Sequence, residues 1–247
     1  MSTATVDRVL HKRPGTHHQT VVRVNHALRE LEEQTAAHVP LGRGMHVDVV
    51  MHAPQRFTSQ ARLAALTAAA SLNPLRVAPR FHFDEKTDAT SMAARLKRLA
   101  RNGTDGVIVK AGCEMPVVKA VNDLVANGVP VVTLATDISE SARHAYIGIN
   151  NHAAGRTAAY LLGRFVAPMT GTVLANLGSH GFQGEEAREA GFREILASDF
   201  PQLTLAEITG SYGLDRETRR LVGLALNADK PVVGIYSMGG GNRGILQ

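Results

Sequence analysis

The chain has 247 residues, of which 44% are hydrophobic and 20% are charged, and its net charge is +5. This composition is typical of a globular protein with one or two domains, and no apolar run approaches the roughly 20 residues that a bilayer crossing requires. Cys113 is the single cysteine, so no internal disulfide can form. Residues 1–10 mix Ser, Thr, Asp and Arg, unlike a signal segment, and we therefore expect a cytoplasmic protein.

The N-terminal segment is basic. Within residues 1–28, four Lys or Arg side chains are balanced by one acid, Asp7, so four minus one accounts for +3 of the charge. The pattern predicts an opening amphipathic helix that STAT caps and RPG ends, followed by a second helix at 19–31. A basic segment ahead of a near-neutral body favours a polyanionic partner such as nucleic acid, although a solvated pair of basic helices would carry the same charge.

From residue 45 onward, short apolar runs alternate with helical patterns. Strands are predicted at 45–51, 75–83, 106–110, 129–135, 144–149, 171–177, 203–210 and 231–237, and helices at 59–72, 90–103, 115–128, 153–165, 185–196 and 215–227. This alternation, with strands rich in Val and Ile, predicts an α/β fold with parallel sheets covered on both faces. Residues 135–155 place two strands in succession, which indicates a crossing between two subdomains.

The residues that follow the strands are candidate ligand contacts, because ligands of open α/β sheets bind at the carboxyl ends of the strands. These loops combine a carboxylate and amides with an arginine and aromatic rings, including Phe182. Such a set suits a small polyhydroxylated ligand, since polar groups bind hydroxyls and aromatic faces pack on C–H surfaces. The candidate effector-binding residues are Phe57, Asp137, Gln183, Arg188, Tyr212 and Asn242.

Catalytic and cofactor motifs are weak. GGGNRG (239–244) matches the dinucleotide fingerprint G-x-G-x-x-G, but the acidic residue expected about 20 positions later is missing because the sequence ends at Gln247. His17 and His18 are adjacent, so their side chains diverge on a helix and cannot hold one metal ion. We therefore expect no enzyme, no cofactor, no catalytic residue and no metal site.

Sequence blocks across most of the chain carry a family resemblance. TATVDRVLHKRPGTHHQTVVRVNHALREL (3–31) resembles a recognition helix, a loop and a third helix, and DGVIVKAG, YIGINNHAAGRTAAYLL and GEEAREAGFREIL resemble parts of a sugar-sensing core. Together they resemble the lactose-repressor family of bacterial transcription regulators, whose core is shared with periplasmic sugar-binding proteins. The resemblance implies a partial helix-turn-helix at 1–31, a hinge at 32–44, an effector N-subdomain at 45–138, and a crossover with an incomplete C-subdomain at 139–247.

The resemblance also implies roles for the first helix. Thr3, Ala4 and Arg8 would meet base edges in the major groove, and Ser2 and Thr5 would contact phosphates. The face that packs on the next helix would consist of Val6, Val9 and Leu10, against Val22, Val24 and Leu28.

The sequence departs from the family at three places. The first helix of the motif would precede Met1, residues 32–44 match the hinge poorly, and the chain ends after the eighth predicted strand. We therefore expect a fragment that is truncated at both ends.

Three functions remain open. The first is a homodimeric regulator whose affinity for operator DNA changes when a small carbohydrate or polyol effector binds. The alternative is a stand-alone sugar- or polyol-binding module without DNA binding. The third is a nucleotide-dependent enzyme that uses the GGGNRG segment.

Overall fold

The computed structural model of the chain describes residues 2–36, 44–72, 75–227 and 231–247. The chain divides into two compact units, Met1–Met45 with Leu66–Ala78, and His46–Ala65 with Pro79–Gln247. Among the helices within these described ranges, none combines the length and hydropathy needed to cross a bilayer.

Two helices, α1 (Thr3–Leu10) and α2 (His18–Ala36), form the N-terminal part of the first unit. Helix α1 begins where it was predicted, because Ser2 caps it: the Ser2 hydroxyl accepts a hydrogen bond from the Thr5 amide at 3.3 Å. The predicted hinge, 32–44, starts inside α2, and its residues 37–43 lie outside the described residues.

The predicted packing face of these two helices is only partly correct. Val24 is 4% exposed, as a buried position should be, but Leu10 and Val22 are 49% and 52% exposed. Residues on one helix face recur every three or four positions, so the stripe that contains Val24 also contains Val21 and Leu28. Val22 falls on the neighbouring face for that reason.

The eight predicted strands are all present, and they form two sheets. The first sheet has the order β2-β1-β3-β4-β5 and the second the order β7-β6-β8. The pairs β1–β3, β3–β4, β4–β5, β6–β7 and β6–β8 are parallel, as predicted. The bounds are β1 (Met45–His52), β2 (Val77–Asp84), β3 (Gly106–Lys110), β4 (Val131–Leu134), β5 (Ala145–Ile147), β6 (Gly171–Asn176), β7 (Leu203–Ile208) and β8 (Val232–Ser237).

The helices between the strands also lie where the periodicity predicts them, usually with ends that differ by a few residues. Their bounds are α3 (Gln55–Ser71), α4 (Ala89–Arg101), α5 (Met115–Ala126), α6 (Asn151–Val166), α7 (Gln183–Asp199) and α8 (Asp215–Leu226), and a further short helix, α9 (Asn242–Ile245), follows β8. Helix α3 begins four residues earlier than predicted, at Gln55, whose amide donates to the Glu85 carboxylate at 2.8 Å.

Each sheet packs against helices through its own core. In the first, Val50 and Val109 of β1 and β3 pack with Leu96 of α4 and Leu124 of α5. In the second, residues of β6 pack with α6 and α7, centred on the fully buried Phe192.

Two glycines allow α6 and α7 to approach closely. A Cβ atom on Gly155 would lie 1.9 Å from the Arg188 carbonyl oxygen, and one on Gly191 would lie 2.1 Å from the His152 carbonyl oxygen. Any side chain at either position would push the helices apart. The two glycines thereby fix where the Arg188 turn of α7 lies against α6.

The segment predicted as a crossover, which begins at 139, contains the last strand of the first sheet. Strand β5, which lies in it, pairs with β4 and therefore belongs to the first sheet. The change of sheet falls between Ile147 and Gly171, an interval that contains α6, which packs against α7. The succession of two strands noted in the sequence is thus the last pair of the first sheet.

Candidate functional site

A group of charged and aromatic side chains gathers where β1, β3 and β6 end, inside the second unit. His52 is the last residue of β1 and Lys110 is the last residue of β3. Because Met51 is in register with Lys110 on these parallel neighbours, His52 and Lys110 lie at the same edge of the sheet. The group, which we term the lysine cluster, consists of His52, Phe57, Lys110, Phe182, Glu185, Arg188 and Tyr212.

Aromatic rings surround the His52 imidazole and the Lys110 ammonium. The Phe182 ring lies 5.1 Å from the His52 ring, centroid to centroid, and the Tyr212 ring stacks on His52 at 6.0 Å. The Lys110 Nζ atom lies 4.2 Å from the Phe182 centroid and 5.6 Å from that of Phe57. These rings offer apolar faces and favourable cation–π contacts at the same place.

Local backbone geometry holds two of these rings. Phe182 directly precedes α7, and its carbonyl oxygen accepts hydrogen bonds from the Glu185 and Glu186 amides in the first turn. Tyr212 has a positive φ of 53°, and its amide donates to the Gly178 carbonyl oxygen at 2.7 Å. The loops after β6 and β7 are therefore bonded to each other, which places Tyr212 beside His52.

Lys110 is a cation in a poorly hydrated position. Its Nζ atom donates a hydrogen bond to the His52 carbonyl oxygen at 3.1 Å. Burial lowers the pKa of Lys110 to about 8, the Glu185 charge acts against this change, and the Arg188 charge adds to it. Lys110 thus keeps its charge at neutral pH, but at a cost in free energy that a solvated lysine does not have.

Glu185 and Arg188 supply the other charges of the cluster. Burial raises the pKa of Glu185, whereas hydrogen bonds from the Gly178 and Ser179 backbone and the charges of Lys110 and Arg188 act in the opposite direction. The Gly178 amide donates to the Glu185 carboxylate at 2.6 Å. Arg188 Nε donates to the Gly184 carbonyl oxygen at 3.2 Å, one turn earlier in α7.

The His52 side chain has an unused polar atom. The residue is only 9% exposed, and its Nε2 atom is buried without a hydrogen-bond partner among the described residues. Burial and the Lys110 charge lower the pKa of His52, while Asp84 and a hydrogen bond with the Glu85 backbone raise it less. When the other ring nitrogen donates to that backbone, Nε2 of the neutral ring is an acceptor.

Three of the six predicted effector contacts belong to the lysine cluster, namely Phe57, Arg188 and Tyr212. Two others, Asp137 and Gln183, line a separate cavity of about 590 Å³ beside the N-terminal ends of α6 and α7. The sixth, Asn242, begins α9, where its side-chain oxygen accepts a hydrogen bond from the Ser237 hydroxyl at 2.7 Å.

Asp137 and Gln183 already have partners within the chain. Arg143 donates two hydrogen bonds of 2.5 Å to the Asp137 carboxylate. Burial alone would raise the pKa of Asp137, but the Arg143 bonds outweigh it together with bonds from Thr133 and the Ile138 amide, so the pKa is lowered. Gln183 forms two hydrogen bonds of 3.0 Å with Ser139: its side-chain oxygen accepts from the Ser139 amide, and its side-chain nitrogen donates to the Ser139 hydroxyl.

Sequence reasoning did not select His52, Lys110 or Glu185. The available signal was their position: His52 and Lys110 are polar residues that end buried strands, and Glu185 follows a glycine-rich strand end. The segments to which the strand-end rule was applied, 52–59, 110–115 and 178–188, include all three residues, but no pattern in the sequence singled them out.

The GGGNRG segment forms the turn into α9, and its glycines serve packing. A Cβ atom on Gly239 would lie 1.8 Å from the Gly178 amide nitrogen, and one on Gly241 would lie 1.9 Å from the Thr218 hydroxyl. Gly241 also has a positive φ of 74°. Close approach of the loops after β6 and β8 thus accounts for these glycines without a nucleotide.

The predicted DNA contacts lie on α1, in the first unit. Thr3, Ala4 and Arg8 are exposed, as base-contacting residues must be, and Thr5 is half-buried. The Ser2 hydroxyl lies 2.8 Å from that of Thr5. This pair caps the helix, and the predicted contacts of Ser2 and Thr5 with phosphates stay a prediction.

Comparisons with known proteins place the larger part of the chain in a structural context. Residues 49–247 match the family model described as "Periplasmic binding protein domain". A comparison with curated protein sequences finds no match. The family match covers both sheets almost completely and leaves out α1 and α2.

Similar solved structures are sugar-binding proteins. One is GanP, a glucose-galactose binding protein from Geobacillus stearothermophilus, at 21% identity and a TM-score of 0.71, covering 82% of this chain and 71% of that one. Another is a solute-binding protein of an ABC transporter from Burkholderia graminis in complex with D-arabinose, at 23% identity and a TM-score of 0.71, covering 78% and 65%. A third is a periplasmic solute-binding protein from Actinobacillus succinogenes with bound D-allose, at 16% identity and a TM-score of 0.68, covering 82% and 72%.

Proposed function

Since the chain belongs to the periplasmic binding protein domain family, we propose that it is a binding protein for a monosaccharide and that the lysine cluster is part of its ligand site. The observation that carries this proposal is the buried, unpartnered Nε2 atom of His52 among aromatic rings. A buried polar atom without a partner costs about 1–3 kcal/mol. A ligand hydroxyl donating to Nε2 would remove that cost.

The geometry supports a sugar in particular. A monosaccharide presents C–H surfaces on its ring faces and hydroxyl groups around its rim. Phe182 and Tyr212 supply apolar faces, Lys110 supplies donors and His52 supplies an acceptor at the same strand ends. The similar solved structures include proteins described with bound arabinose and allose, which supports the same class of ligand.

The proposal is tested by calorimetric titration and thermal unfolding with a panel of neutral, amino and acidic pentoses and hexoses. Tryptophan fluorescence cannot report binding, because the chain has no Trp. We expect one compound to raise the unfolding temperature and Tyr212→Ala to weaken its binding at least tenfold. Tyr160→Ala is the matched control, because Tyr160 is an exposed tyrosine on α6 outside the cluster. An unfolding transition that no sugar shifts would overturn the proposal.

A second candidate, a ligand-responsive DNA-binding regulator, is supported by the charge of the first unit. Arg8, Lys12 and Arg23 are exposed there and form no ion pair with another described residue. A regulator should bind duplex DNA with an affinity that falls by about one log unit per phosphate contact over each decade of salt. Arg8→Ala should weaken that binding, and an absence of salt-dependent binding would leave the sugar-binding function alone.

A further inference from the structure

The lysine cluster contains two side chains that can carry a positive charge, Lys110 and Arg188, and one that can carry a negative charge, Glu185. Among the residues that the structure describes, neither Lys110 nor Arg188 forms an ion pair, although both are influenced by Glu185. Elsewhere in the second unit the partly buried arginines do have partners: Arg80 binds Asp48, Arg95 binds Asp84 and Arg143 binds Asp137. The lack of a direct ion pair at Lys110 and Arg188 is thus a local property of the cluster.

Hydrogen-bond donors in the cluster also exceed acceptors. Lys110 donates to a single protein acceptor, the His52 carbonyl oxygen, and Arg188 donates to the Gly184 carbonyl oxygen. An ammonium has three donors and a guanidinium has five, so both retain N–H groups for a ligand. The Glu185 carboxylate accepts a backbone hydrogen bond, and the unpartnered acceptor is His52 Nε2.

A neutral sugar matches this arrangement poorly. Each hydroxyl both donates and accepts, so a neutral sugar needs protein acceptors in numbers comparable to donors. The carboxylate predicted for that role, Asp137, lies instead in the separate cavity and is bonded to Arg143. An oxyanion accepts without donating, and it would also give Lys110 and Arg188 the direct ion pair that Glu185 does not form with them.

We propose, as a refinement that rests on the proposed function, that the ligand is a monosaccharide bearing an oxyanion, a carboxylate or a phosphate. The oxyanion contacts the Lys110 ammonium and the Arg188 guanidinium, and a hydroxyl of the same ligand donates to His52 Nε2. The ring faces of Phe182 and Tyr212 hold the C–H surface between these polar contacts.

The experiment compares matched ligands by calorimetric titration at pH 7. The sets are D-glucose, D-glucuronate and D-glucose 6-phosphate; D-galactose, D-galacturonate and D-galactose 6-phosphate; and D-arabinose, D-arabinonate and D-arabinose 5-phosphate. In at least one set we expect an anionic member to bind about thirtyfold more tightly than the neutral one, as a charged hydrogen bond in a partly buried site implies. Whether the uronate, the aldonate or the phosphate binds most tightly identifies the oxyanion.

Two variants test the residues. Lys110→Met should weaken binding of the anionic ligand about thirtyfold and bring its affinity close to that of the neutral sugar, while Lys119→Met, at an exposed lysine on α5, should change neither affinity. Arg188→Lys keeps the charge but loses the planar fork, so it should retain part of the preference for the anion. If Arg188→Lys keeps part of the preference for the anion, the positive charge at this position contributes to binding even without the planar guanidinium group.

The outcomes separate the two proposals. If a neutral sugar binds as tightly as its acid, and Lys110→Met affects both equally, the oxyanion is excluded while the sugar-binding function stands. If a folded chain binds none of these compounds, the proposed function fails and this inference fails with it.

Discussion

Two buried charged groups in the first sheet, Asp48 and Lys110, have opposite surroundings. Asp48 lies in β1 and is fully buried, yet Arg80 of β2 donates to its carboxylate at 3.0 and 2.5 Å and His82 lies 2.7 Å from it. Lys110 ends the neighbouring strand β3 and forms no ion pair with a described residue, although the Glu185 charge acts on it. The Asp48 charge is therefore paired within the protein, whereas the Lys110 charge is available to a ligand.

The pKa of each group reflects this difference. Burial would raise the pKa of Asp48, but hydrogen bonds from Arg80, Thr104 and His82 outweigh burial, so the pKa is lowered. Burial lowers the pKa of Lys110 to about 8 with little compensation. Folding thus favours the charged form of Asp48 and disfavours the charged form of Lys110, which is what we expect of a structural and a ligand-binding residue, respectively.

The largest stability effect expected is that of Asp48→Asn. This change removes the charge that holds Arg80 and should lower the free energy of unfolding by about 3 kcal/mol, the lower end for a broken buried pair because the Arg80 side chain is one-third exposed. Urea unfolding at pH 7 measures the difference. Asp199→Asn, at an exposed position at the end of α7, is the control and should change the stability by less than about 0.5 kcal/mol.

Acid pH should remove the same stabilisation. Because the pKa of Asp48 is lower in the folded chain than its ordinary value of 3.8, its contribution is present above pH 3.8 and is lost as the pH falls through the folded-state pKa. Unfolding curves of the wild type and Asp48→Asn should therefore converge below pH 3.8. Curves that stay parallel down to the lowest pH tested would mean that packing, not charge, causes the loss.

Lys110→Met should raise the free energy of unfolding at pH 7, by less than the amount by which Asp48→Asn lowers it. A fall in the pKa from 10.5 to about 8 corresponds to a cost of about 2 kcal/mol, after allowance for partial exposure, when the folded chain carries the charge. The cost is fully present below pH 8 and disappears as the pH rises toward 10.5. The variant should thus be more stable than the wild type at pH 7, and this advantage should vanish near pH 10.5. Lys119→Met is the control and should have the same stability as the wild type.

Lys110→Met is expected to weaken ligand binding and to stabilise the chain, and this combination would distinguish Lys110 from Asp48. Replacing a structural residue lowers both the stability of the chain and its affinity for a ligand. A ligand-binding residue, by contrast, can destabilise the unliganded chain, so replacing it can raise stability while it weakens binding. If Lys110→Met instead destabilised the chain at pH 7 by as much as Asp48→Asn, both charges would be structural, and the assignment of the lysine cluster as a ligand site would be wrong.

The sequence was sufficient for most of the fold but only for part of the site. Strands such as GVIVK, predicted and observed at 106–110, are recognisable because continuous Val and Ile mark a buried parallel strand. Strand β5, Ala145–Ile147, is short and largely exposed, and its sheet membership depends on its pairing with β4, which the sequence does not reveal. Hence the strands were predicted correctly, whereas the sheet to which β5 belongs was not predicted.

For the candidate site, residue type and position after a strand selected Phe57, Arg188 and Tyr212, which the structure brings together in the lysine cluster, and their contact with a ligand stays a prediction. The same rule selected Gln183, whose partner Ser139 lies 44 positions away and could be recognised only in three dimensions. It missed Lys110, because the importance of this residue comes from the absence of a direct ion pair with any described residue. A missing interaction can be established only when the surroundings are known.

The smallest effect on stability is expected for His52→Phe. The change removes a buried nitrogen without a partner, which should stabilise the fold, but it also removes the hydrogen bond with the Glu85 backbone. These effects oppose each other, so we expect the free energy of unfolding to change by less than about 1 kcal/mol, with the stacking on Phe182 and Tyr212 preserved. His180→Phe, at an exposed histidine that precedes the Phe182 turn, is the control.

Binding should respond far more than stability to the same change. Without Nε2 the ligand hydroxyl loses its acceptor, and the affinity of the wild-type ligand should fall about tenfold, whereas the analogue that lacks this hydroxyl should bind both proteins equally. A deoxy series measured by titration identifies the hydroxyl. If His52→Phe weakened every member of that series by the same factor, His52 would act through ring position alone, and the contrast between a satisfied Asp48 and an unsatisfied cluster would rest on Lys110 only.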